Sequence, residues 1–142
     1  SELIQLLQYT QDWPRMCESH IDIPDNIDCW ADPEQIRKLL LNILHNCCIA
    51  LKNMEGEIRV TAEEVSDDSG AEKTVIRITD NGTGIPELII DKIFDPFFTT
   101  RENGTGLGLS IVKQIVMAHE GGITISSKER QETTAEVWLP LP

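Results

Sequence analysis

Apolar residues recur along this chain with two distinct periods. Between Asp32 and Met54 the spacing is helical: Ile36, Leu40, Ile43, Cys47, Ala50 and Met54 fall on one stripe of a 3.6-residue wheel. Asp32-Pro33-Glu34-Gln35 supplies an acidic cap, a proline in the first turn and a glutamine at the capping-box position. A helix is therefore predicted from here to Met54, stopped by Gly56. A second is predicted over Gly106 to His119, ended by Gly121-Gly122. Leu3, Leu6 and Leu7 point to a leading helix that ends before Pro14.

Elsewhere the period is two. Ile58, Val60 and Ala62 alternate with Glu57, Arg59, Thr61 and Glu63, and Ile76 and Ile78 oppose Arg77 and Thr79. The polar stretch Ser66-Asp67-Asp68-Ser69-Gly70 between them predicts an antiparallel hairpin with a long tip. Ile123 with Ile125, then Val137 with Leu139, give two more strands, closing at Pro140. Ile21 and Ile23 mark a short early strand, Pro24-Asp25-Asn26 a turn, and Asp28 to Ala31 a segment that pairs back. Strands with one apolar face need a cover, and the helices supply it. The predicted fold is α+β, a two-layer α/β sandwich with a mostly antiparallel sheet. No repeat or linker divides the 142 residues, so one domain is expected.

Composition narrows the function classes. Twenty-four acidic residues against twelve basic ones give a net charge of −12. Nucleic acid and anionic membrane both demand clustered Lys and Arg, so neither is an expected partner. A polyphosphate ligand would need local chemistry to overcome the same repulsion: a divalent cation, backbone N–H groups at a helix start, and one or two placed cations. Screening confines the repulsion to about 8 Å at physiological salt, so the charge is no veto. Cys17, Cys29, Cys47 and Cys48 lack a CxxC spacing and no histidine stands at a zinc-ligand interval, which predicts reduced packing thiols in a cytoplasmic domain. The longest apolar run, Ile111 to Ala118, is interrupted by Lys113 and Gln114 and falls short of the roughly 20 residues that cross a bilayer. Glu2 sits where a leader would carry positive charge, so no leader is expected, and Ser1 reads as the edge of a longer chain.

Candidate chemistry lies in three glycine- and asparagine-bearing segments. Asn42, Asn46 and Asn53 share one flank of the first long helix. Asparagine is a poor helix former, by about half a kcal/mol against alanine, so the alignment is either a tolerated polar edge or a functional one. A neutral amide oxygen suits Mg²⁺, and its amide can donate to phosphate without adding charge. Asp80-Asn81-Gly82-Thr83-Gly84-Ile85 follows a strand. It fits a glycine-rich turn, or a carboxylate that accepts from an exocyclic amine such as that of adenine while the glycines let backbone approach a flat ring. An EF-hand is ruled out by the missing carboxylates. Gly104-Thr105-Gly106-Leu107-Gly108-Leu109 enters the second helix, where exposed N–H groups bind anions. It is neither a dinucleotide fingerprint nor a P-loop, since no lysine follows the glycines. The stretch from Pro86 to Gly104, with Phe94, Phe97, Phe98, Thr99, Thr100 and Arg101, reads as a mobile lid. Arg101 either reaches a terminal phosphate or is a solvated surface charge.

Four motifs in this order closely resemble the catalytic and ATP-binding domain of bacterial two-component sensor histidine kinases, in the Bergerat-fold superfamily shared with gyrase and a class of heat-shock chaperone. Asn42 to Ala50 matches the asparagine box, Asp80 to Ile85 the first glycine box, Phe94 to Phe98 the phenylalanine box and Gly104 to Leu109 the second glycine box. The resemblance covers residues 32–140 of a 1–142 domain. It implies a mixed sheet of about five strands under three helices. It further implies that Asn46 coordinates Mg²⁺, that Asp80 holds the adenine amine, and that a lid covers the triphosphate. Nucleotide contacts carry over to Asn42, Asn46, Ala50, Asp80, Gly82, Gly84, Ile85, Phe98, Thr99, Thr100, Gly104, Thr105, Gly106, Leu107, Gly108 and Leu109, and a catalytic contact to Arg101. ATP and Mg²⁺ are the implied cofactors. The implied partners are the protein's own dimerisation and phosphoacceptor domain, absent from this sequence, and a response regulator. The implied full-length protein is a homodimer, with this domain alone a monomer, and its parent is left open to membrane anchoring.

Within that superfamily, hydrolysing members and serine-kinase anti-sigma factors carry glutamate where Asn42 stands, a general base for an incoming nucleophile. An amide favours transfer to an imidazole that is already nucleophilic. Two departures from the family pattern stand out. Cys47 replaces the usual alanine after Asn46 and is expected to pack as a small hydrophobe, and Glu132 replaces a frequent glycine before Thr133-Thr134. His119-Glu120 superficially resembles a phosphoacceptor pair, but Gly121-Gly122 follows at once; His119 is expected at a helix C-terminus, favourable to the dipole. His45 points away from the apolar stripe and is expected at the surface.

Overall fold

The computed structural model describes residues 17–22, 31–50, 56–82, 84–85, 87–95, 108–128 and 132–140. Along them run β1 (Cys17–Asp22), α1 (Pro33–Ala50), β2 (Gly56–Ser66), β3 (Glu72–Asp80), α2 (Gly108–Ala118), β4 (Gly122–Lys128) and β5 (Glu132–Pro140), with a 3-10 turn at Ile90–Lys92. The strands form one sheet in the order β1-β2-β3-β5-β4. β1 pairs with β2 in parallel and every other pairing is antiparallel, so the sheet is mixed as expected. The described residues contain two of the three expected α-helices. The leading helix over Leu3 to Leu7 lies outside them, as do residues 51–55 after α1.

Register assembles one apolar face. Ile58, Val60 and Ala62 stand opposite Asp80, Ile78 and Ile76. Ile78 and Ile76 in turn face Ala135 and Val137, beside Ile125 and Ile123. Both helices cover this face. α1 buries Ile36, Leu40, Ile43 and Cys47 as its stripe predicts, and also Leu39 and Leu44. The buried surface is wider than the stripe because α2 packs along α1 as well as on the sheet, contributing Val112, Ile115 and Val116. Truncating a fully buried residue such as Leu39 to alanine costs about 2–5 kcal/mol. On the other sheet face Arg77 donates to Glu63 at 2.6 Å and to Glu136 at 3.1 Å, linking three strands. These side chains are well exposed, so the pairs add little stability.

Element ends follow local chemistry, with two departures from expectation. α1 starts as its sequence dictates: Asp32 Oδ1 accepts the Glu34 N–H at 2.9 Å and the Asp32 carbonyl accepts the Ile36 N–H at 3.0 Å. The β2–β3 hairpin tip has the predicted length but sits one residue later, at 67–71 rather than 66–70. The strands run to Ser66 and resume at Glu72 because Asp67 Oδ1 collects the Ser69 and Ala71 N–H groups at 2.9 and 3.0 Å, and Gly70 takes φ 85°.

The close of α2 is the second departure. The left-handed residue is Glu120, φ 60°, rather than a glycine. The Glu120 N–H reaches the Met117 carbonyl at 3.0 Å and the Gly121 N–H reaches that of Val116 at 2.7 Å, a Schellman arrangement. Gly121 and Gly122 are required for a different reason. A Cβ on Gly121 would collide with the Trp138 carbonyl oxygen, and one on Gly122 would lie 2.7 Å from the Trp138 indole nitrogen. His119 does sit at the helix end, where its Nδ1–H donates to the Ile115 carbonyl at 2.8 Å. Its Nε2 accepts the Asp32 N–H at 3.1 Å, tying the end of α2 to the start of α1.

Candidate functional site

Asp80 is the last residue of β3, and the alternation that buries Ile76 and Ile78 turns its side chain to the helix-covered face as well. It is 3 % exposed, a carboxylate under the helices. Its Oδ1 accepts the Gly82 N–H at 2.9 Å. Burial raises its pKa above the ordinary carboxylate value, against the Gly82 N–H and the Cys47 thiol, both of which donate to it and favour the charged form. A buried carboxylate with capacity left to accept is suited to a donor on a flat, weakly hydrated ligand.

The loop after Asp80 is tied down at both ends. Asn81 Oδ1 accepts the Glu57 N–H at 2.7 Å, fixing the loop to the start of β2. Gly84 takes φ 71°, a conformation that favours glycine. The Ile85 N–H donates to Ser127 Oγ of β4 at 2.7 Å. That hydroxyl also bonds the Glu132 carbonyl at 3.0 Å and Thr133 Oγ1 at 2.8 Å, so its capacity is filled by the loop and by the β4–β5 pair.

α1 presents Asn42 and Asn46 on one half-buried flank, as the wheel predicts. Asn42 Nδ2 donates to the Lys38 carbonyl at 2.9 Å, which leaves its Oδ1 toward α2. There the first residue of α2, Gly108, faces both amides: a Cβ on it would stand 3.5 Å from Asn42 Oδ1 and 3.9 Å from Asn46 Nδ2. Two motifs more than sixty residues apart thus meet, with the N–H groups at the start of α2 beside two neutral amides. Leu109 follows on the same turn, half-buried. Ahead of α2, Ile93 is buried and Phe94 lies under the Lys113 ammonium, 5.4 Å from the ring centre, which anchors the start of the phenylalanine-rich segment.

Phe98, Thr99, Thr100, Arg101, Gly104, Thr105, Gly106 and Leu107 lie outside the described residues, as do Asn53 and the side chain of Ala50. His45 is exposed. Among the described residues no group of three or more His, Cys, Asp or Glu side chains could hold a metal. The amide oxygens of α1 still fit Mg²⁺, which takes few protein ligands and is otherwise held by phosphate and water. No helix among the described residues is long and apolar enough to cross a membrane. Three residues of the site carried no sequence signal for the parts they play. Ser127 looks like any strand serine, Asn81 like a turn residue, and Cys47 like core; their partners lie on other elements.

The sequence matches the family described as "Histidine kinase-, DNA gyrase B-, and HSP90-like ATPase" over residues 31–142. It is 39 % identical over 111 residues to the sensor histidine kinase ZraS of Salmonella typhimurium, covering 78 % of this chain and 23 % of that protein. It is 42 % identical over 111 residues to the signal transduction histidine-protein kinase AtoS of Escherichia coli K12, covering 78 % of this chain and 17 % of that one. The chain thus spans less than a quarter of the length of these relatives. Among solved structures, the catalytic domain of histidine kinase ThkA superimposes with a TM-score of 0.79 at 32 % identity, over 98 % of this chain and 92 % of that one.

Proposed function

This chain belongs to the family of histidine kinase-, DNA gyrase B- and HSP90-like ATPases, and from that premise we propose that it is the part of a sensor kinase that holds MgATP and presents its γ-phosphoryl group to a histidine. The observation that carries the proposal is the meeting of Gly108 with Asn42 and Asn46 on the face that buries Asp80. One end of the site offers a buried carboxylate for an amine, and the other offers helix N–H groups and amide oxygens for phosphate and a cation.

In this reading Asp80 accepts the exocyclic amine of adenine, and the backbone at Gly82 and Gly84 lies against the ring. The start of α2 receives the phosphates through its N–H groups. Asn46 would hold Mg²⁺, which when bound would neutralise phosphate charge. Asn42 lacks a carboxylate's basicity near neutral pH, so no residue at its position activates water. Arg101 and the threonines beside it close on the terminal phosphate. Catalysis is then positioning and charge neutralisation rather than proton abstraction. The nucleotide-binding part occupies residues 32–140, and the acceptor histidine belongs to a dimerisation domain elsewhere in a homodimeric protein. A response regulator takes the phosphoryl group from it, and this domain works in the cytoplasm.

The test uses the full-length protein and γ-labelled ATP. An acid-labile, base-stable label on the protein, lost with Asp80→Asn, is the expected result. ATP binding without any labelled histidine would leave a nucleotide sensor instead, and sustained hydrolysis without label would make it an ATPase.

A further inference from the structure

One imidazole joins the two helices at the end away from Gly108. His119 is half-buried, one residue past the end of α2. Its Nδ1 lies 2.8 Å from the Ile115 carbonyl oxygen, and its Nε2 lies 3.1 Å from the Asp32 backbone nitrogen. Both partners have fixed polarity, since a carbonyl only accepts and an N–H only donates. They assign the ring's neutral tautomer, with the proton on Nδ1 and a lone pair on Nε2. The Ile115 carbonyl also accepts the His119 backbone N–H at 3.2 Å, so ring and backbone are fixed to one turn. Asp32 is committed in turn: its N–H goes to His119, while its carbonyl and Oδ1 accept from Ile36 and Glu34 of α1. The last turn of α2 is thus bonded to the cap of α1.

At the other end of α2, Gly108 faces Asn42 and Asn46. The helices therefore run antiparallel and meet at both ends. α1 rises about 15 Å from Asp32 to Asn42, and α2 rises about 16 Å from Gly108 to His119. Because the spans match, one axial setting of α2 satisfies both contacts. The apolar packing between the helices is non-directional, whereas the bond to Nε2 is directional. A slip of one residue would move Gly108 by about 1.5 Å along α1. We infer that His119 is a positioning residue for the phosphate end of the site, its Nε2 fixing the axial setting that brings the start of α2 over Asn42 and Asn46. This rests on the reading of that end as the phosphate site given above. A misplacement of about 1 Å in a group that positions substrate is enough to be felt strongly in function. The base end is built on β3 by Asp80 and its loop, so the same slip leaves it in place.

The experiment measures the affinity of this chain and its variants for MgATP and for adenosine, which carries the base without phosphate, by calorimetry. Thermal melts confirm that each variant is folded. His119→Asn keeps a donor for the Ile115 carbonyl but falls short of Asp32, whereas His119→Gln extends an amide oxygen toward the Asp32 N–H. His119→Asn is expected to bind MgATP about five-fold more weakly and adenosine within about two-fold of the parent, the scale of one lost hydrogen bond felt at one end only. His119→Gln should recover most of the MgATP affinity. MgATP affinity unchanged in His119→Asn overturns the inference, as does equal weakening for both ligands or failure of glutamine to recover affinity. Gly108→Ala separates the two levels. If it weakens MgATP binding while His119→Asn matches the parent, only the role of His119 falls; if it binds MgATP normally, the phosphate reading falls and takes this inference with it.

Discussion

Gly108, the first residue of α2, stands so close to Asn42 of α1 that a Cβ placed on it would lie 3.5 Å from the asparagine Oδ1. That is ordinary van der Waals contact, so the glycine is not demanded by packing between the helices. What a side chain there would occupy is the space over the two amides. Gly108→Ala should therefore leave the thermal midpoint unchanged or slightly raised, since alanine is the better helix former by about 1 kcal/mol. Its ATP affinity should fall by about ten-fold or more, read by calorimetry. A stable variant with unchanged affinity would place the phosphates elsewhere.

Asp80→Asn should separate stability from function. Burial raises the folded-state pKa of Asp80 above its unfolded value. The stability it contributes is thus complete below the unfolded pKa and declines as pH rises through the folded one. Above the folded pKa the ligand-free domain carries a buried charge that asparagine would remove, while an amide oxygen can still accept from Gly82. The variant should melt at a higher temperature than the parent at pH 7, with the difference shrinking toward acid, and should lose ATP binding. A lower melting temperature at neutral pH would show that the carboxylate is a stabilising element.

Ser127→Ala should loosen the glycine loop without unfolding the sheet. The hydroxyl accepts the Ile85 N–H and joins β4 to β5. Its loss should cost about 1 kcal/mol, the scale of a typical hydrogen bond. Amide exchange at Ile85 should quicken, and ATP affinity should fall by a few-fold. Unchanged exchange at Ile85 would show that other contacts hold the loop.

The end of α2 makes a paired prediction of opposite signs. Glu120 holds φ 60°, where glycine carries no Cβ penalty, so Glu120→Gly should stabilise by about 1 kcal/mol. Gly121→Ala should destabilise by about 2 kcal/mol or more, because its Cβ meets the Trp138 backbone rather than a movable side chain. Denaturant melts of the two variants decide it. Equal effects would mean that neither the left-handed φ of Glu120 nor the Trp138 backbone beside Gly121 governs these positions.

Much of this was legible in the chain. The Asp32 cap, the α1 stripe and the alternation in β2 and β3 are local patterns, and each appears where its spacing places it. Asp80, Asn42 and Asn46 are candidates by residue type and position alone. The misreadings share a cause. Gly121-Gly122 read as a helix terminator because glycine commonly ends helices, whereas their need arises from Trp138, seventeen residues after Gly121. The hairpin tip lies one residue beyond the start of the polar stretch, because polar Ser66 still pairs with Glu72 and strand pairing follows hydrogen-bond partners rather than hydropathy.

Local order along the chain dictates which segments become helix or strand, which face of each is apolar, and which residues are chemically suited to phosphate, cation and amine. Those properties depend on neighbours a few positions away, where periodicity and capping act. Long-range packing sets the rest: β5 inserts between β3 and β4, Ser127 reaches Ile85 across forty-two positions, and Gly108 meets Asn42. Such contacts follow from strand register and helix packing, which many compatible local patterns leave open until the whole apolar face is buried at once.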